Sequence, residues 1–133
     1  MTIRKKLALY NCTIWEADIF DCHCGPFDCI VAADVLEHFK HLDRIILRIK
    51  DFIATETVLI TSLPTENIYY YLARMLFNEK KPYDHYHSAT EVERRLREHS
   101  FKNIYSTRLP SPLIPLFSVT AWKLYPVSPK WTI

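Results

Sequence analysis

Phe27-Asp28-Cys29-Ile30-Val31-Ala32-Ala33-Asp34-Val35-Leu36-Glu37-His38 decides how the rest of the chain is read. From Phe27 to Ala33 the residues are apolar apart from Asp28, and Gly25-Pro26 bounds the run on its amino side. A short apolar run behind a turn signal suits a strand buried on both faces, as in a parallel sheet. Glu37, His38 and His41 then follow Asp34 at spacings of three, four and seven. A helix starting near Asp34 would put all four on one face.

Downstream, Leu42, Ile45, Ile46, Ile49, Phe52 and Ile53 recur at helical spacing, with Asp43, Arg44, Arg48, Lys50 and Asp51 on the other face. Residues 57–62 form a second short apolar run, stopped by Pro64. Two such runs joined by one amphipathic helix make a right-handed crossover unit, so they are predicted to be adjacent parallel strands. Ile68, Tyr71, Leu72, Met75 and Leu76 mark another helix, which must end before Pro82. Ser88 and Glu91 have capping-box spacing, with Val92, Leu96 and His99 following on one face. Strands are predicted over residues 104–109 and 117–125, with Pro110, Pro112 and Pro115 excluding regular structure between them. Upstream, Ile3, Leu7 and Tyr10 suggest a short helix, and residues 13–17 read as a strand ending at Asp18. Alternation of strands and helices implies a mostly parallel α/β sheet, closed by an antiparallel pair at one edge. Ligands of open α/β sheets sit beyond the carboxyl ends of the strands. That directs attention to residues 18–21, 34–38 and 62–67.

The chain has 133 residues, the size of one domain on a prior of roughly 100–200 residues. With 49% hydrophobic and 24% charged residues, it can build a core and is not a disordered chain. A net charge of +2 gives no ground for a nucleic-acid or membrane-surface partner. No stretch approaches the ~18 apolar residues of a membrane span. The apolar piece after the basic start, Leu7 to Tyr10, is shorter than the ~7–15 residues of a signal-peptide core. A cytoplasmic location is therefore expected, with Cys12, Cys22, Cys24 and Cys29 as reduced thiols. Gly25 is the only glycine, against about nine at average usage of ~7%. That excludes a dinucleotide fingerprint or a P-loop within this chain, because both need several glycines to bring backbone N–H groups to a phosphate.

The stretch from Phe27 to His38 resembles the fourth-strand motif of Rossmann-like S-adenosylmethionine-dependent methyltransferases, approximately F-D-x-I-x-x-x-D-V-L-E-H. Leu59-Ile60-Thr61-Ser62-Leu63-Pro64 resembles that family's fifth strand and following turn. The helix near Glu93, the strand at Ile104 and the proline-rich loop look like its late helix and final antiparallel strands. The resemblance runs from about Leu7 to Leu124. It implies an α/β, Rossmann-like, mostly parallel sheet with helices on both faces and an antiparallel carboxyl-terminal strand pair. The family's amino-terminal strands and Gly-rich loop, which hold the methionine and ribose parts of the cofactor, are missing here. The chain thus looks like one partial methyltransferase-like domain, 1–133, and its unpartnered sheet edge invites self-association. The resemblance also implies S-adenosylmethionine as cofactor, a small-molecule acceptor rather than nucleic acid, and direct in-line displacement without a required metal. It places Asp18 and Ile19 where the adenine amine is held, and Asp34 and Val35 at the sheet edge near the methyl group.

Each position has a plainer reading. Asp18 suits a solvated turn. Glu37 suits a structural role, orienting the turn by hydrogen bonding, and His38 is a base, a turn residue or, with the neighbouring carboxylates, a ligand for a divalent metal. His85 and His87, in the Tyr83-Asp84-His85-Tyr86-His87 segment, are further candidate bases or ordinary loop residues. Two rival functions stay open: a non-catalytic interaction module that keeps the fold without the cofactor loop, and a small zinc module built on the cysteines. The second lacks the C-x₂₋₄-C knuckles of structural zinc sites.

Overall fold

The computed structural model describes residues 11–65, 67–77 and 85–125. The helix expected near Leu7 lies outside these residues, as do Tyr83 and Asp84. Among the described residues, four strands form one sheet: β1 (Phe27–Ala33), β2 (Ile53–Pro64), β3 (Phe101–Pro110) and β4 (Pro115–Leu124). Their order is β1-β2-β4-β3. β1 and β2 pair in parallel, with Ile30 opposite Leu59 and Ala32 opposite Thr61. β4 runs antiparallel to both β2 and β3, so three of the four strands point the same way. The expected α/β class, the parallel neighbours and the antiparallel carboxyl-terminal pair are all observed.

Helix α1 (Leu42–Lys50) connects β1 to β2, α2 (Ile68–Leu76) follows β2, and α3 (Ala89–Glu98) precedes β3. The apolar stripe predicted for α1 is the buried one: Leu42, Ile45, Ile46 and Ile49 face the sheet. Ser88 caps α3 by accepting the Glu91 backbone N–H at 3.3 Å, as the sequence spacing anticipates. Val92 and Leu96 of α3 meet Leu59, Leu63 and Trp122 of the sheet in a single core. Within it, Trp122 Nε1 donates to Thr61 Oγ1 at 2.9 Å, so the indole N–H is satisfied without water. Across the top of this layer, Asp43 of α1 meets His99 at 3.0 Å and Arg95 at 3.4 Å.

Three expectations are corrected. β1 is not buried on both faces: it is an edge strand, and Val31 is 66% exposed and Cys29 exposed, because nothing among the described residues covers that side. Residues 13–17 do not form a strand. A strand needs a neighbour to satisfy its backbone groups, and none is supplied there. The proline-rich connection is shorter than predicted: Pro110 ends β3, Pro115 begins β4, and the two face each other in the ladder. The intervening turn is held by Ser111 Oγ, which accepts the N–H groups of Leu113 and Ile114, both at 3.2 Å.

Candidate functional site

The carboxyl end of β1 closes in a turn that the sequence periodicity does not reveal. Asp34 adopts φ 50°, in the left-handed region that Asp tolerates better than most residues. Its N–H still donates to Ser62 O at 2.9 Å, which ties the turn to the end of β2. A 3-10 turn, Leu36–His38, follows, and α1 begins only at Leu42. The continuous helix from Asp34 is therefore absent, and the four side chains do not share one helical face. Leu36 and Glu37 are buried, His38 is half-buried and His41 is exposed.

Two clusters result. In the first, Asp18, Ile19, Val31, Val35 and Leu36 line a cleft of about 360 Å³ beside β1. Asp18 and Ile19 are brought there by Arg48 of α1. Its guanidinium donates to Ile19 O at 3.1 Å and also to Cys22 O, and pairs with Asp51 at 2.9 Å. Arg44 stacks its guanidinium on the Phe20 ring, 4.3 Å from the centroid, at the same turn. Asp18 itself accepts the Phe20 N–H through Oδ1 at 2.9 Å, which is the turn role foreseen for it, while its side chain still borders the cleft. Gly25, at φ 99°, then lets the chain turn into β1, a conformation in which any Cβ is strained. Arg48 is the residue that sequence reasoning missed. Its i,i+3 spacing to Asp51 reads as a solvated pair, and no local signal shows that it reaches residues 26 to 29 positions earlier.

In the second cluster, Glu37, His38 and His85 converge, with one ligand-capable atom from each lying within 4.8 Å of the others. The segment carrying His85 is docked by backbone: Glu37 O accepts the N–H groups of Tyr86 at 2.9 Å and His87 at 3.3 Å. The rings of His38 and His85 meet edge to face, 4.6 Å apart at 77°. Glu37 Oε1 is 3.9 Å from His38 Nε2, and neither carboxylate oxygen of Glu37 has a hydrogen-bond partner among the described residues. It is the backbone carbonyl of Glu37, not its carboxylate, that docks the His85 segment. Burial pushes the Glu37 carboxyl up, against the pull of its own backbone N–H and then of the nearby histidines. Partial burial likewise raises Asp34, against the pull of His38 and then His85. His87 is turned away from this cluster: its Nε2 is 3.0 Å from Phe39 O and its Nδ1 is 3.1 Å from Glu91 Oε1. It locks the loop to α3.

The four cysteines are free thiols, and none enters a metal-like cluster among the described residues. Burial and then its neighbour Cys22 raise the Cys24 thiol. No helix among the described residues is long and apolar enough to cross a membrane.

The sequence model of a family described as a methyltransferase domain matches residues 8–124. No curated protein matches the chain. Among solved structures, the magnesium protoporphyrin IX methyltransferase of Synechocystis, crystallised with S-adenosylhomocysteine, is similar with a TM-score of 0.64 at 15% identity; 92% of this chain is covered and 56% of that one. The 1,6-didemethyltoxoflavin N1-methyltransferase of Burkholderia thailandensis, with 1,6-didemethyltoxoflavin and S-adenosylhomocysteine bound, is similar with a TM-score of 0.58 at 16% identity, over 82% of this chain and 49% of that one. A small RNA methyltransferase is similar with a TM-score of 0.55 at 16% identity, over 85% of this chain and 16% of that one. The chain thus spans about half the length of the first two.

Proposed function

Because this chain belongs to the methyltransferase-domain family, we propose that it is one partial domain, 1–133, of an S-adenosylmethionine-dependent methyltransferase, whose described residues hold the adenine end of the cofactor. The observation that carries this reading is the cleft at the carboxyl end of β1. It joins apolar walls, Ile19, Val31, Val35 and Leu36, to one carboxylate, Asp18. A flat heteroaromatic ring with an exocyclic amine fits that chemistry: the walls bury the ring, and the carboxylate accepts from the amine. Asp34 stands at the adjoining turn, nearer the reacting end.

S-adenosylmethionine supplies a sulfonium methyl that departs in line to a nucleophile. The protein's part is alignment, and a base is needed only when the acceptor must lose a proton. His38 and His85 are the candidate bases, since they share one cluster beside Asp34. His87 is a positioning residue, because its ring is engaged by Phe39 O and Glu91. The balanced charge of +2 favours a small-molecule acceptor over nucleic acid. A cytoplasmic site of action fits the reduced cysteines.

A second reading has its own support. Gly25, the only glycine, lies in the turn that enters β1, away from the carboxyl ends of the strands, so these 133 residues contain no Gly-rich cofactor loop. A non-catalytic interaction module would look the same.

Calorimetry separates the two. Titration of the chain with S-adenosylhomocysteine, in EDTA, is expected to give saturable binding near 1 mM, about −4 kcal/mol. Asp18→Ala is expected to weaken it about tenfold, the effect of losing a hydrogen bond to a charged group. Absence of saturable heat at several times that concentration rejects the cofactor reading.

A further inference from the structure

We propose that Glu37, His38 and His85 form a binding site for a first-row divalent transition-metal ion. The inference stands on side-chain geometry and not on the methyl-transfer reading. Three potential ligand atoms lie within 4.8 Å of one another. Glu37 is 1% exposed, and both of its carboxylate oxygens lack a hydrogen-bond partner among the described residues. A buried carboxylate in that condition is costly, and coordination of a cation is one of the few arrangements that remove the cost.

The scaffold holds the three groups in place. Glu37 and His38 are consecutive residues of one 3-10 turn, and His85 enters because the Glu37 carbonyl binds the next two N–H groups of its segment. Ligand atoms around a tetrahedral ion lie about 3.4 Å apart for bonds of about 2.1 Å. Reaching that spacing asks the side chains to close by roughly an ångström. The Nε2 of His38, 3.9 Å from Glu37 Oε1, is the ligand atom next to the buried carboxylate.

The donor set selects the ion. Two imidazoles with one carboxylate suit Zn²⁺, Fe²⁺ or Co²⁺, whereas Mg²⁺ and Ca²⁺ prefer oxygen alone. Three protein ligands leave at least one coordination position open, the pattern of reactive rather than structural sites.

Co²⁺ titration of the metal-free chain, followed by visible absorption, tests this. One equivalent is expected to bind with visible ligand-field bands and without the near-ultraviolet thiolate band that Cys22 or Cys24 would produce. Glu37→Gln and His85→Ala are each expected to weaken Co²⁺ binding by at least the 10–100-fold that loss of a mere outer-shell partner causes. The double variant Cys22→Ser/Cys24→Ser is expected to bind as the parent does. Far-ultraviolet circular dichroism confirms that each variant is folded, and His85→Ala, in a loop, carries the test alone if Glu37→Gln does not fold. The proposal is overturned if Co²⁺ at millimolar concentration gives no such bands. It is also overturned if the folded ligand variants bind like the parent, or if the serine variant abolishes binding. The S-adenosylhomocysteine titration is done in EDTA, so either idea can fail while the other stands.

Discussion

Asp34 carries two burdens at once, a left-handed backbone and a carboxylate within the field of His38 and His85, and substitutions separate them. Asp34→Gly removes the carboxylate and suits φ 50°, so its unfolding free energy is expected to stay within about 1 kcal/mol of the parent. Asp34→Val, β-branched in the left-handed region, is expected to lose about 1–2 kcal/mol. Urea unfolding checks both, with Leu59→Ala, which empties part of the buried core, as the reference for a loss of about 2–5 kcal/mol. An equal loss for Asp34→Gly and Leu59→Ala would make Asp34 a structural residue. Arg48 gives a second residue-scale expectation. Its hydrogen bonds to the carbonyls of Ile19 and Cys22 hold one wall of the cleft, so Arg48→Ala is expected to cost about 2 kcal/mol. It is also expected to speed proteolysis near Cys22; unchanged cleavage would show that other contacts hold the segment. The left-handed backbone of Asp34 and the reach of Arg48 were not legible in the sequence. The Asp34 motif marks a strand end but not the sign of φ, and Arg48 acts through partners far away in the chain.

At the scale of elements, what the sequence shows depends on how local the cause is. β1 and β2 were legible as short apolar runs bounded by turn signals, and α1 and α3 because their burial follows period 3.6, with Ser88 and Glu91 announcing a cap. Ser88→Ala is accordingly expected to lower stability by about 1 kcal/mol, read from the urea midpoint. The strand predicted over residues 13–17 failed for the opposite reason: residue pattern can propose a strand, but only a neighbouring strand can satisfy it. The convergence of Glu37 with His85 was equally hidden. It depends on the His85 segment docking on a carbonyl 48 residues earlier. Between strands, Lys123 of β4 reaches Glu56 of β2 at 2.7 Å. The hydrogen bond, then the charge, of Lys123 lowers Glu56 below its usual 4.5, and the same contact raises Lys123 above 10.5. The Glu56 contribution is present above about pH 4.5 and lost as pH falls through its lowered value. The Lys123 contribution is present below pH 10.5 and lost as pH rises through its raised value. Glu56→Gln is therefore expected to flatten the acid limb of the stability profile while changing neutral stability little, since the pair is exposed. An unchanged acid slope would show that the pair does not persist in solution.

At the largest scale, the organising fact is that β1 is an edge strand among the described residues and its outer side carries an apolar surface, with Val31 66% exposed. Edge strands of this kind pair with other chains unless something blunts them. Sedimentation at rising concentration is expected to show self-association, and Val31→Lys is expected to reduce it; a strict monomer at all concentrations contradicts that expectation. The same edge borders the cleft, so the central claim, that this cleft holds the adenine end of S-adenosylmethionine, has a spatial test. Nitrogen-15 labelled chain is titrated with S-adenosylhomocysteine, and backbone amide shifts are mapped. Saturable shifts are expected at Asp18, Ile19, Val35 and Leu36, with a midpoint near 1 mM and little change in α3 or β3. Shifts confined to other surfaces, or no saturable shift at the cleft, would contradict it.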